Sequence, residues 1–504
     1  MVSHLSFTLN NYPNYSLPKQ LFFPIFTISK LKELLNSMES THSEQINPTV
    51  LMAILMVTLF FNAFMGAAVN IAIPIIAKDF SMSAVESSWV AMSFLLSSAM
   101  FLLPFGKIGD IYGRKKIFLI GNIIFTLSSF LCALSPNSLT LIVFRFFQGI
   151  GGSMIMGTGM AIVTSVFPPK ERGRMLGLVV SSVYLGLTAA PVIGGILTQT
   201  LGWHSIFLIS VFAGIFVILG IVLKIKAEWR DSKHENLDIN GSIIYMAAIF
   251  LIMYGFSKLP DNLGIVLSVS GVAVFVLFVL YERKLEFPVL NIQLFLRNRV
   301  FAFSNLAALI NYSATFAVTF IMSLYLQYAK GLQPRDAGML LITQPAVMAV
   351  TASIAGRLSD KFDSGILSSI GMAIIVIGLV LLYAIDAGTS NIFLISCLVV
   401  LGLGFGIFSS PNTHSVMGSV QKSQLGIASA TISTMRLLGQ ISSMAIATMV
   451  IHVFHGEAKI SSANVDLFLH SSKVIFLISA IMCFFGVFAS LARGNKKLVE
   501  DAVV

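Results

Sequence analysis

Charge is what this sequence has least of. Only 11% of its 504 residues are Asp, Glu, Lys or Arg, where a soluble globular protein carries about 25%. A soluble chain of this length needs polar surface for at least two domains, and too few charges are present to make it. Cysteine is scarce as well. Cys132, Cys397 and Cys483 all lie inside apolar runs and form no CxxC pair, which argues against a disulfide framework or a zinc site. There is no GxxxxGK[ST] phosphate loop, no HExxH helix and no cluster of nucleophile, histidine and acid. Neither nucleotide-driven work by this chain alone nor membrane-enzyme chemistry has residues to carry it. Acids are missing from one further place: all 22 Asp and Glu fall in loops, termini or the ends of apolar runs, and none in the middle of one.

What is abundant is apolar sequence, 56% of the chain. A helix crossing the hydrocarbon of a bilayer needs about 20 mainly apolar residues. Fourteen runs qualify, at 50–77, 87–109, 115–134, 139–167, 173–199, 205–224, 237–258, 261–281, 300–328, 335–356, 366–385, 392–418, 423–452 and 473–492. Their length predicts helices rather than the short alternating strands of a barrel. The longest connection, about 453–472, is too short for the external domain of a receptor. Fold and solvent are thus an all-α integral membrane protein in lipid.

The basic residues are sorted by side. If the N-terminus is cytoplasmic, 21 Lys and Arg fall in inside loops, among them Lys107, Arg114, Lys115, Lys116, Lys224 and Arg230. Only 6 fall outside: Lys78, Lys258, Lys330, Arg335, Lys459 and Lys473. That is a positive-inside bias, and it accounts for the net charge of +10 without a nucleic-acid partner. Residues 1–48 are polar and aromatic, and Leu21–Ile28 is too short to span. They read as a flexible tail, with either Met1 or Met38 as the initiator.

The loop Gly106–Lys116 reads GKIGDIYGRKK, and 250 residues later Gly356–Lys361 reads GRLSDK. A loop repeated at matching places predicts two homologous halves. These residues resemble the major facilitator superfamily. Gly106, Asp110, Gly113, Arg114 and Lys115 match its signature between the second and third helices. RFFQGIGG at Arg145–Gly152 resembles its fourth-helix motif, and GLTAAPVIGG at Gly186–Gly195 its fifth-helix antiporter motif. The fourteen-helix count, SSPNTHSVMGSV and STMRLLGQ resemble the fourteen-helix drug:proton antiporter branch. Two positions depart from that pattern. Ala190, not Gly, precedes Pro191, and Met65 stands where the branch carries a first-helix Asp, although Asn70 and Pro74 are kept.

The resemblance implies a fold of two six-helix halves, 49–226 and 286–495, with an inserted peripheral pair in 227–285, a tail at 496–504 and both termini cytoplasmic. It implies a latch at Asp110 and Arg114, joined by Gly356 and Asp360 in the second half. A basic loop alone explains the Lys and Arg but not Asp110, which can accept from backbone N–H groups at a helix N-terminus. Gly186, Pro191, Gly194 and Gly195 make a small-residue face that lets helix five pack closely. Asn70, Arg145, Gln148, Asn311, His414 and Arg436 are candidate cavity or coupling residues. Arg145 is expected to face a central cavity, with snorkelling as the alternative. Arg436 serves equally well as a structural, hydrogen-bonded Arg. Ser304, Asn311, Thr315 and Thr319 share one helical face. His414 is expected to be the protonatable group inside the membrane. The implied activity is export of small amphipathic or drug-like compounds by proton antiport in the plasma membrane, by a monomer without cofactor or metal. A facilitator or symporter of a metabolite or anion is the alternative, because two intramembrane arginines lack acids.

Overall fold

The computed structural model describes residues 47–230, 237–285, 288–359, 361–421, 424–456, 458, 460 and 464–493. Among them are 14 helices long and apolar enough to cross a membrane. These are α1 Pro48–Asp79, α2 Ala84–Tyr112, α3 Arg114–Ala133, α4 Ser138–Val166, α5 Pro169–Leu201, α6 His204–Lys224, α7 Ile239–Ser257 and α8 Asn262–Glu282. They continue with α9 Arg299–Leu324, which runs on as a π-helical turn Tyr325–Ala329, then α10 Pro334–Leu358, α11 Ser364–Tyr383, α12 Asn391–Gly418, α13 Leu425–His455 and α14 Val465–Leu491. The chain alternates direction at each crossing. The ends near Lys107, Arg114 and Arg357 form one side of the bundle, here the basic end; the other is the far end.

Local chemistry sets the helix starts. Asn47, Asn137, Asp238, Asn298, Asp363 and Ser390 each accept a backbone N–H of the turn they precede, and Ser83 with Glu86 closes a capping box on α2. Each supplies an acceptor that the first turn lacks. α10 is less regular than its apolar run suggests: the helix is interrupted at Ile342.

The bundle turns the soluble pattern inside out. Phe212, Phe216, Leu219 and Val222 on α6, and Val266, Val269, Val272 and Val276 on α8, are exposed. The interior holds Ser88, Ser93, Ser97, Ser98, Ser129, Asn305 and Asn311. With lipid outside, apolar burial drives little, and small or hydrogen-bonding side chains hold helices together.

Helix pairing repeats. α1 packs on α5 and α6, α4 on α2 and α3, and α3 on α6. In the same way α9 packs on α13 and α14, α12 on α10 and α11, and α11 on α14. The cross-pairs are reciprocal too, α5 against α10 and α13 against α2. Shifting every label by eight maps one set onto the other. The α7–α8 pair has no counterpart in that scheme. α8 packs chiefly on α7, but α7 wedges against both α2 and α13, and the Tyr245 hydroxyl donates to the Ala99 carbonyl at 2.9 Å. α7 thus lies against helices of both sets, while α8 lies chiefly against α7.

Candidate functional site

The loop after α2 is built around Gly113, whose φ of +124° is a conformation that a side chain strains. Its open face admits Glu228, which accepts from the backbone N–H groups of Lys115 (2.9 Å) and Lys116 (3.2 Å). The acid on the N-terminus of α3 is thus Glu228, sitting where the helix dipole favours an anion. The sequence offered a signal in this lone acid among Lys224, Lys226 and Arg230. Asp110 instead accepts from Arg114 Nε at 2.7 Å and pairs with Nη2 at 2.6 Å. Arg114 goes on to the Ala161 carbonyl and to Ser165 on α4, so this unit binds α2 to α4. Gly106 lies against Gly157 of α4. At the corresponding place in the second half, a Cβ on Gly356 would stand 2.8 Å from the Ser410 hydroxyl of α12. Asp360 lies outside the described residues.

Arg145 is not open to a cavity. It is fully buried between α2, α3 and α4, where Nε donates to the Val90 carbonyl (3.0 Å) and Nη1 to Gln148 Oε1 (2.6 Å). Its guanidinium lies 4.5 Å from the centre of the Phe94 ring. Gln148 Nε2 donates onward to Ser129 at 2.6 Å. Carbonyl, amide and ring face satisfy the cation in place, so it neither snorkels nor lines an opening.

The interface between α1–α6 and α9–α14 holds the remaining candidates. At the far end, Ser323 donates to the Asn70 carbonyl (2.8 Å), Gln327 to Ile71 (3.0 Å) and Tyr328 to Pro74 (3.2 Å). The face of α5 is packed along its length. Gly186 and Gly194 lie against Phe60 and Ala68 of α1, Gly195 against Pro334 of α10, and the Pro191 carbonyl against Gly338 of α10. A Cβ at Gly195 would stand 2.5 Å from the Pro334 carbonyl oxygen, so only a glycine lets α5 and α10 close there.

Midway along the helices lies a polar cluster. The Tyr184 hydroxyl of α5 bonds Ser409 of α12 at 3.1 Å. Arg436 Nη2 of α13 donates to Thr413 at 2.6 Å, and its guanidinium lies 5.8 Å from the Tyr312 ring of α9. Arg436 Nε has no partner, nor does either side-chain atom of Asn311 or the Oδ1 atoms of Asn70 and Asn412. Asn412 donates to the Ser304 carbonyl at 3.2 Å, and Thr315 turns back on the Asn311 carbonyl. Tyr184, Tyr312, Ser409 and Thr413 were not singled out from the sequence; tyrosines midway along apolar runs are the signal that could have found them.

His414 is displaced from its expected place. It is exposed, and its ring bonds Ser364 at the start of α11, at 3.1 Å. One residue along α12 from Thr413 turns the side chain about 100° away from the cluster. α13 also extends to a buried His455.

The Major Facilitator Superfamily model matches residues 55–444 and, again, 304–501. The chain belongs to that superfamily. It is 33% identical over 442 residues to the riboflavin transporter RibZ of Clostridioides difficile, covering 87% of this chain and 95% of RibZ. It is 30% identical over 424 residues to the methylenomycin A resistance protein of Bacillus subtilis, covering 82% and 89%. Among solved structures, it resembles a bacterial homologue of the human lysosomal transporter Spinster in an inward-facing, unoccupied conformation. The TM-score is 0.65 and the identity 17%, over 90% of this chain and 98% of the other; at that identity the likeness is one of fold. A multi-pass membrane transporter of this superfamily is what the described residues build.

Proposed function

We propose that this superfamily member exports small amphipathic compounds across the plasma membrane by alternating access, binding them at the cluster of Tyr184, Asn311, Tyr312, Ser409, Thr413 and Arg436. The observation that carries this is the placement of unmet hydrogen-bonding groups. Arg436 Nε is buried without a partner, beside Thr413 of α12 and the Tyr312 ring of α9. Unsatisfied polar groups inside a bundle are costly, and a ligand that completes them regains that cost. Taking the basic end as cytoplasmic follows the distribution of Lys and Arg. The hydrogen bonds across the interface near the far end hold that end together, which fits an inward-facing state. In it Asp110 holds Arg114 at the start of α3, and Arg114 reaches on to α4. Transport requires the contacts Ser323–Asn70 and Gln327–Ile71 to open as the basic end closes.

The likeness to a methylenomycin A resistance protein supports the export reading; proton antiport is the coupling we propose. A specific observation favours a narrower reading of the cargo. The cluster offers a cation, hydroxyls and amides, and the described spans hold no carboxylate in their interiors; Met65 of α1, at the position of the expected acid, is fully buried. Such a site suits neutral or anionic compounds rich in acceptors, a chemistry that riboflavin shares, and disfavours lipophilic cations. Purified protein in liposomes with an imposed pH gradient tests both parts. Gradient-driven movement of riboflavin but not of ethidium is the expected result. Movement indifferent to the gradient removes the antiport claim, and a preference for ethidium removes the cargo claim.

A further inference from the structure

Asp238 and Glu282 stand at the two ends of the α7–α8 pair that meet on the basic side. Asp238 caps α7, its Oδ1 accepting from the Gly241 N–H at 2.9 Å and from the Tyr281 hydroxyl at 3.3 Å. Glu282 closes α8; it is 2% exposed, and its Oε2 accepts from the Leu290 N–H at 3.1 Å. One oxygen of each carboxylate remains. Asp238 Oδ2 and Glu282 Oε1 are both buried, and neither accepts a hydrogen bond. The two converge on one spot. A Cβ on Gly241 would collide with Asp238 Oδ2 and would stand 2.6 Å from Glu282 Oε1. The orphan oxygens therefore share a space that only a glycine leaves free.

No cation answers them among the described residues. Arg283 and Lys284, next in sequence, are exposed. α7 also packs against α2 and α13. The charged groups on the basic-end halves of those helices are Lys107, Asp110 and Arg436, and no bond joins any of them to the pair. Two ionised carboxylates here would repel each other, and each would keep a desolvated acceptor unmet. A single proton removes both penalties. It turns one oxygen into a donor to the other, and it leaves one negative charge for the Gly241, Tyr281 and Leu290 donors to stabilise.

We propose that Asp238 and Glu282 bind one proton between them at neutral pH, as an acid–carboxylate pair that fastens α7 to α8 and, through Leu290, to the segment leading into α9. The site lies apart from the Tyr184–Arg436 cluster and does not depend on how transport is coupled.

The full-length protein in lipid nanodiscs provides the test. Its infrared spectrum at neutral pH is expected to show a protonated-carboxyl C=O band that shifts in D2O. Glu282→Gln and Asp238→Asn should each abolish it; in each the amide supplies the missing hydrogen, so both variants are expected to fold. The folded pair holds a proton that the unfolded chain releases above the ordinary carboxylate range. The thermal midpoint of the unmodified protein should therefore fall by several degrees between about pH 4 and about pH 7, while Glu282→Gln loses that slope. Absence of a carboxyl band removed by either variant, or identical pH slopes, overturns the proposal. So does a midpoint raised by sodium or calcium ions at constant ionic strength and insensitive to them in Glu282→Gln, which places a metal cation between the oxygens instead.

Discussion

Arg145 and Arg436 are both cations set inside largely apolar helices, and neither has an acid beside it. Arg145 is wrapped on every side within α2, α3 and α4, its donors directed at Val90 and Gln148 and its face on Phe94. Arg436 is only half-buried. It holds one hydroxyl, Thr413, and leaves Nε free where α5, α9, α12 and α13 converge. A cation completed by its own bundle is structural. A cation left incomplete between two bundles has capacity for a ligand, and it can exchange partners as the bundles move.

The comparison is open to attack by substitution. Arg145→Ala is expected to have the largest effect, because it removes a fully buried hub and strands Gln148 and the Val90 carbonyl. The loss of stability should be about 3 kcal/mol or more, seen as a collapse in the yield of monodisperse protein and in its thermal midpoint. Arg436→Ala should leave the midpoint nearly unchanged and cut transport at least tenfold; a drop in stability matching that of Arg145→Ala would erase the distinction. Tyr184→Phe removes one hydrogen bond between α5 and α12, which contributes about 1 kcal/mol net. It should alter the substrate concentration for half-maximal transport several-fold while the protein stays folded. His414→Ala should have the smallest effect, with transport rates and their pH profile close to those of the unmodified protein, since the ring faces away from the cluster. A lost pH response in that variant would return His414 to the pathway.

How much of this was legible beforehand differs by kind of residue. The fourteen crossings follow from run length alone, and even the pair joined only by Leu259 and Pro260 appears as separate helices, Ile239–Ser257 and Asn262–Glu282. The hydrophobic signal is local and additive along the chain, so it survives without any knowledge of neighbours. The interruption at Ile342 and the π-helical turn at Tyr325–Ala329 were not visible, because such local departures depend on what packs against the helix. Among site residues, Arg436 and Asn311 were found because polar groups in apolar runs stand out. Tyr184, Ser409 and Thr413 were missed, because hydroxyls are common in such helices and most turn back on their own backbone.

The acids show the same division. The sequence places every carboxylate at a span end or beyond, and the described structure keeps them there. It also makes Asp110 the natural anion for a helix N-terminus, yet Glu228, 118 residues further on, takes that position on α3 while Asp110 pairs with Arg114. Nothing in the linear order brings Asp238 to Glu282 across the α7–α8 pair. Composition, run length and the sorting of basic residues determined by themselves a fourteen-helix membrane protein with an internal repeat, since each reports a solvent preference that every segment carries alone. Which arginine is closed and which is open, which acid caps α3, and which two carboxylates meet over Gly241 were decided only when helices distant in sequence packed together. Hydrogen bonds and charge pairs are short-ranged, and only the tertiary structure supplies the distances.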